Sequence, residues 1–232
     1  ADFVVRATEA FTTTLPGERR SVTPIYSLMI ATEPQSDAFW SRHGFDTFPT
    51  FADDRHLIIY GQRTADNRIA FGGRGAPYHF GSSVEPRFDN NARVSELLWR
   101  TLTEFFSDLE GEMAYSWGGP LGMTRDLMPS VCVDYRSGLA SAGGYTGDGV
   151  VMSYVAGQTL ADLLTTPHTP SDLTLAPYVQ RQSPRWEIEP LRWLGVNAGL
   201  ALATWADHQE FERDTSSRAS SLLDRLFDQF PP

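Results

Sequence analysis

Cysteine is almost absent from this sequence: Cys132 is the one thiol in 232 residues. No internal disulfide can form, so the expected compartment is reducing and cytoplasmic. Long apolar runs are lacking too. Val196 to Ala206 is the most apolar stretch, but Asn197, Gly199 and Thr204 interrupt it and it is shorter than the roughly 20 residues a bilayer demands. It reads as a buried helix, and no membrane partner is expected. Basic residues are in deficit, with 19 Lys+Arg against 29 Asp+Glu and a net charge of −10. Without a basic stripe to track a phosphate backbone, nucleic acid is not an expected ligand. His43, His56, His79, His168 and His208 never fall at metal-ligand spacing with each other or with Cys132, and neither HExxH nor GxSxG occurs, so no metal site is expected. There is also no initiator Met and no signal-peptide pattern: the chain runs from Ala1 directly into Phe3, Val4 and Val5. That abrupt start leads us to expect a piece of something longer.

What is present describes a globular chain, 41% hydrophobic and 21% charged, long enough to bury a sizeable core without disulfide or metal. Strands are expected at Asp2–Thr8, Val22–Thr32, Met113–Trp117, Ser130–Asp134 and Leu139–Ala142. His56–Gln62 and Arg68–Gly73 flank the polar turn Ala65, Asp66, Asn67 and read as an antiparallel hairpin. In Val94–Leu109, apolar residues at 94, 97, 98, 102, 105, 106 and 109 form one helical stripe. Val150–Leu164, Leu191–Ala206 and Ser216–Phe230 read as further helices, the last capped by Asp214 or Thr215. Residues 35–54 read as loop. Cys132, inside Ser130, Val131, Cys132, Val133, is expected to be buried and inert. The fold class is α+β.

Two glycine clusters carry the chemistry. Leu139–Gly144 is a small-residue strand that passes through Tyr145, Thr146, Gly147, Asp148 and Gly149 into the Val150 helix. Strand, glycine loop and helix N-terminus together make an anion cradle, because glycine lets a ligand reach the backbone and the first helical N–H groups carry partial positive charge. Packing alone accounts for many such turns. The second cluster, Trp117, Gly118, Gly119, Pro120, Leu121, Gly122, reads on its own as a hairpin connection, yet two such clusters could wall one planar ligand.

The ordered set Ala7-Thr8-Glu9, the Val22–Glu33 strand, FGGRG at Phe71–Gly75, WGGPLG at Trp117–Gly122, RDLMPSV at Arg125–Val131 and AGGYTGDGV at Ala142–Val150 resembles the FAD-dependent D-amino-acid oxidase superfamily. It is most similar to the branch with glycine and sarcosine oxidases and γ-glutamylputrescine oxidase, and it matches only their C-terminal part. The resemblance implies an antiparallel substrate-domain sheet with flanking helices, plus the C-terminal part of a Rossmann-like FAD-binding domain. It divides the chain into 1–20 (strand region of the FAD domain), 21–112 (substrate domain), 113–166 (returning FAD segment) and 167–232 (helical extension).

The same resemblance implies FAD contacts at Gly118, Gly119, Gly144, Tyr145, Thr146, Gly147, Asp148, Gly149 and Val150, with the helix N-terminus at the pyrimidine end of the flavin. It offers Tyr60, Arg74, Tyr78 and His79 to a small-molecule amine or amino acid. The implied reaction is oxidation of a C–N bond with hydride transfer to FAD, imine hydrolysis and oxygen as acceptor; no catalytic base is assigned. The GxGxxG fingerprint that holds the FAD pyrophosphate is missing, so tight binding is expected to need an N-terminal half, in cis or in trans. Asp148 stands where relatives often carry histidine, and no residue matches a covalent flavin cysteine, so FAD is expected to be non-covalent. Alternatives are a non-catalytic substrate-binding or interaction module, and a dehydrogenase using another electron acceptor. The PRWEIEPLRW stretch, Pro184–Trp193, is shared with that branch; its expected use is packing of C-terminal helices or a homo-oligomer contact.

Overall fold

A computed structural model describes residues 1–73, 75, 77–213, 220, 222 and 223. In chain order the elements are β1 (Val4–Arg6), β2 (Thr23–Thr32), α1 (Asp37–His43), β3 (Thr50–Ala52), β4 (Ile59–Arg63), β5 (Ile69–Gly73), α2 (Ala92–Phe105), β6 (Met113–Met123), β7 (Ser130–Asp134), β8 (Leu139–Gly143), α3 (Gly149–Thr165) and α4 (Leu191–Arg213). They fall into two compact units: residues 1–25, 78–84 and 120–193, and residues 26–77, 85–119 and 194–232. The α+β expectation holds. Among the described residues no helix is long and apolar enough to cross a membrane.

In the first unit, β1 pairs parallel with β8, and β7 pairs antiparallel with β8. Strand alternation puts Val131, Val133, Ala140 and Ala142 on one face, where they pack with Ala156 and Leu160 of α3. At roughly 1.5–3 kcal/mol per large buried side chain, this layer anchors the helix that leaves the glycine loop. The same alternation overturns the expectation for Cys132. It points to the opposite face from Val131 and Val133, is only partly buried, and donates its S–H to the Arg181 carbonyl at 3.2 Å.

PRWEIEPLRW is a strap on this unit. Prolines at 184 and 190 bias the segment to extended backbone. Trp186 N donates to the Arg20 carbonyl (2.9 Å) and Arg20 Nε to the Trp186 carbonyl, while Trp186 Nε1 donates to the Met123 carbonyl (2.8 Å). Arg125 pairs with Glu187 at 3.1 Å and lies 5.2 Å from the Trp186 ring centre. Three sequence-distant segments are thereby tied together.

In the second unit the sheet order is β3-β4-β5-β2-β6. The expected hairpin is β4/β5, with Asn67 at φ 64° in its turn. Leu98 and Leu102 of α2, with Phe106 just past its end, pack on Ile30, Ile59, Ile69 and Phe71. The helix starts two residues earlier than its apolar stripe, because Asn91 caps it by accepting from Val94 N at 3.3 Å. Residues 35–54 are not all loop. Ser36 caps α1 by accepting from Phe39 N, Gly44 closes it at φ 71°, and Phe39 and Trp40 are fully buried beneath it; β3 follows. Strand β6 also continues through the glycine cluster instead of turning at Trp117. At Gly118 a Cβ would stand 2.3 Å from Leu28 Cδ2 and 2.6 Å from the Ser27 carbonyl, so the close approach of neighbouring backbone selects glycine inside a strand. The Ser216–Phe230 helix, with its Asp214 or Thr215 cap, lies mostly outside the described residues.

Candidate functional site

Where β8 ends, the chain turns through three left-handed residues: Gly144 (φ 74°), Thr146 (φ 56°) and Gly147 (φ 105°). Asp148 N donates to the Tyr145 carbonyl at 3.0 Å and Thr146 Oγ1 to the Gly144 carbonyl at 3.2 Å, closing the turn on itself. Tyr145 packs against the β7/β8/α3 core; burial, and then the charge of Glu9, push its phenol pKa up. Helix α3 begins at Gly149. Its N-cap residue, Asp148, makes no side-chain capping bond, so its carboxylate does not occupy the first-turn N–H groups. Val150 is 91% exposed. A 17-residue helix thus presents its positive end behind a loop whose one bulky side chain, Tyr145, packs into the core.

The glycines differ in what requires them. A Cβ at Gly144 would meet Thr124 Cγ2 at 2.4 Å, so packing and backbone angle both demand glycine there. Gly147 needs its positive φ. Gly149 is demanded by neither: the nearest atom to an added Cβ is 3.6 Å away, on Tyr145. Gly119 has nothing within 4 Å, whereas Gly118 is accounted for by the sheet. In the first unit, the open space over the backbone at Gly149 is what a ligand lying against the main chain would use.

Glu9, part of the Ala7-Thr8-Glu9 motif, has a position no periodicity shows. Its Oε1 accepts from Gly122 N at 2.8 Å and its Oε2 from Gly144 N at 3.1 Å. One carboxylate therefore bridges the WGGPLG and AGGYTG segments. Beside it, on the sheet face away from α3, is a cavity of about 320 Å³ lined by Arg6, Glu9, Cys132, Ser141, Gly143 and Arg181 among others. Arg6 is ion-paired with Glu18 (2.7 Å) and Arg181 with Asp126 (3.0 Å). Burial raises the Cys132 thiol pKa against the opposing influence of Arg6.

The candidate substrate residues are divided between the two units. Tyr60 stands on β4 in the second unit, partly exposed, its hydroxyl 2.8 Å from Ser27 Oγ. Gly72 lies beneath it, where a Cβ would be 2.9 Å from the Tyr60 ring and 2.8 Å from Met29 Cγ. Arg74 lies outside the described residues. Tyr78 belongs to the first unit and is buried; its hydroxyl donates to Glu189 Oε1, while Ser82 N donates to it at 3.2 Å. His79 is half-buried beside it, at the start of the Phe80–Ser82 turn.

Residues 1–163 match the family model of the FAD-dependent oxidoreductases (DAO). Two curated relatives named "Probable oxidoreductase OrdL" align. That of Rhizobium meliloti is 31% identical over 122 residues, 52% of this chain and 26% of the relative. That of Haemophilus influenzae is 29% identical over 167 residues, 69% of this chain and 35% of the relative. Glycine oxidase from Geobacillus kaustophilus shares the fold with a TM-score of 0.61 and 23% identity over 79% of this chain and 46% of that one. L-proline dehydrogenase from P. horikoshii does so at 0.56, with 18% identity over 74% and 45%. The chain therefore spans between about a quarter and just under half of the length of these proteins. The glycine loop with its uncapped helix end suits the FAD that this family uses, and the chain belongs to the family of FAD-dependent oxidoreductases.

Proposed function

We propose that this chain is the part of a flavoenzyme that presents a flavin loop and a substrate-facing sheet for oxidation of a C–N bond in an amine or amino acid. The observation that carries the reading is the loop Gly144–Val150. It is a left-handed turn leading to a helix whose N-cap carboxylate leaves the first N–H groups unused. FAD, when bound, supplies the two-electron acceptor for the oxidation, after which water hydrolyses the imine to a carbonyl compound and an amine.

The chain's own residues do the rest. Gly144, Tyr145, Thr146, Gly147, Asp148, Gly149 and Val150 hold the cofactor through backbone, with the α3 dipole favouring negative charge at its N-terminus. Gly119 offers uncovered backbone to it, and Gly118 permits the strand that carries Gly119. FAD is held non-covalently. Burial pushes the thiol of the one cysteine up in pKa, away from the thiolate that a covalent flavin link would need. Because the chain contains no GxGxxG, the pyrophosphate is held by a further segment, in cis or in trans. In the second unit Tyr60 faces substrate from the open side of the sheet. His79 is kept as a substrate contact, and Tyr78 serves by fixing the backbone next to it.

Oxygen is the proposed acceptor. The structural neighbours include a dehydrogenase as well as oxidases, so a dehydrogenase is the second reading. The test is a screen of the whole protein against amines and amino acids for hydrogen peroxide release, with an artificial dye as alternative acceptor. Peroxide supports the oxidase. Dye reduction without peroxide supports the dehydrogenase, and neither with any substrate rejects the C–N reading.

A further inference from the structure

We propose that Glu9 is a positioning residue for the flavin loop, a single carboxylate that sets the distance between the two glycine segments and holds Gly144 at the start of the turn. The proposal rests on the flavin reading given above, and its geometry is independent of it.

Each carboxylate oxygen of Glu9 has its own backbone donor, Gly122 N at 2.8 Å and Gly144 N at 3.1 Å. Hydrogen bonds from neutral N–H to an ionised carboxylate are the strong kind, and two of them on one rigid group fix separation and angle together. The surrounding glycines are cut to this carboxylate. An added Cβ at Gly122 would come within 3.0 Å of Glu9 Oε1 and of Ala10 N, and one at Gly143 within 3.3 Å of Glu9 Oε2. Glu9 itself is held at φ 41°, in the left-handed region that a residue with a Cβ adopts at a cost. A glycine or an asparagine would occupy that backbone more easily; the side chain's two bonds are what the local conformation yields in exchange. Glu9 also opens the 3₁₀ turn Glu9–Thr14, where an acidic group suits the N-terminal end.

The consequence for the loop is direct. Gly144 is the first left-handed residue after β8, so its N–H bond to Glu9 determines where Tyr145 to Gly149 start and, through them, where α3 points. Gln in place of Glu keeps the length but offers one acceptor and one NH2 donor, and the donor faces a backbone N–H. One of the two bonds must be lost. Asp keeps the charge but is one methylene shorter and cannot span both donors.

The experiment uses the whole protein as Glu9, Glu9→Gln and Glu9→Ala, with Thr159→Val, a buried α3 hydroxyl whose bonds are with Val155 and Tyr178, as a control for general loss of stability. Two quantities are read: amide hydrogen exchange at Gly122 and Gly144 in the cofactor-free protein, and FAD affinity with its visible spectrum. The expected result is exchange about 10-fold or more faster at one or both glycines in Glu9→Gln and at both in Glu9→Ala. FAD affinity should weaken about 10-fold, with a shifted flavin band, while Thr159→Val leaves the band in place. Unchanged exchange at both glycines in Glu9→Ala overturns the bridge. Faster exchange with unaltered FAD affinity and spectrum overturns the positioning role and leaves a packing contact. A wild-type protein whose two amides are protected but which takes up no FAD overturns the flavin reading on which the role depends.

Discussion

Arg192, only 2% exposed, donates to Glu189 Oε1 from Nη2 at 3.1 Å and from Nε at 3.2 Å. The same oxygen accepts from Gly81 N and from the Tyr78 hydroxyl, and the second oxygen from Trp193 N. A buried guanidinium is tolerable only while that carboxylate faces it. Glu189→Ala should therefore destabilise the first unit by about 3–5 kcal/mol, the range for breaking one side of a buried pair. Glu189→Gln, which keeps acceptor and shape, should cost less. Denaturant melts of both variants check the order, and equal losses would show that the carboxylate's charge, not its acceptor or its shape, is what matters there.

Acid should unfold this unit through the same group and through Asp126. Burial works against the charged form of each. At Glu189 it is outweighed by the bonds from Tyr78 and Trp193 and the charge of Arg192, and at Asp126 by Ser183, Met128 N and Arg181. Both carboxyls end below their ordinary values. A lowered folded-state pKa contributes stability that is complete above the unfolded carboxylate range near about pH 4 and drains as pH falls through the lowered values. Melting temperature should hold from neutral pH to about 5 and then drop. In Asp126→Asn combined with Glu189→Gln the drop should be shallower, from a lower starting point.

Gly147→Val and Gly149→Val separate folding from ligand approach. Valine at 147 is forced into φ 105° and should destabilise the cofactor-free protein by more than about 1 kcal/mol. Valine at 149 meets nothing closer than 3.6 Å and should leave the cofactor-free melt nearly unchanged. Both should lose FAD. Retention of yellow colour by Gly149→Val would mean that nothing approaches the backbone at that point.

On the second unit's sheet, Tyr60→Phe removes one exposed hydroxyl bond to Ser27 and should shift stability by under about 0.5 kcal/mol. Tyr60→Ala removes the ring. With substrate in contact, KM of the whole enzyme should rise about 10-fold for the alanine variant and much less for phenylalanine, for a contact worth about 1.4 kcal/mol.

Strong periodicities are legible in the sequence. The β4/β5 hairpin, the β7/β8 pair and the α2 and α3 helices each announce themselves within a dozen or so residues, because one buried face imposes period 2 or 3.6 on neighbouring positions. Helix α1 escaped because it is seven residues long and is held by its Ser36 and Gly44 ends and two buried rings rather than by a stripe. The continuation of β6 through Trp117–Gly122 escaped because contacts with Leu28 and Ser27 override the turn propensity of consecutive glycines. At Cys132 the apolar run Val131–Val133 hides the strand alternation that turns the thiol to the other face.

The site shows the same division. Gly144 to Val150 is legible as a strand, loop and helix start. Glu9 is not, since its partners lie 113 and 135 residues away in sequence and only folding brings them to one carboxylate. The strap from Pro184 to Trp193 is likewise a set of long-range hydrogen bonds, which no local pattern encodes.

The most direct measurement of the central claim is the visible spectrum of the whole protein purified with added FAD, followed by anaerobic titration with amines and amino acids. The account predicts a stoichiometric flavin spectrum that survives desalting, is released intact by denaturation because no covalent link holds it, and bleaches with at least one such substrate. A colourless protein after desalting, or a bound flavin that no amine or amino acid bleaches, would contradict it.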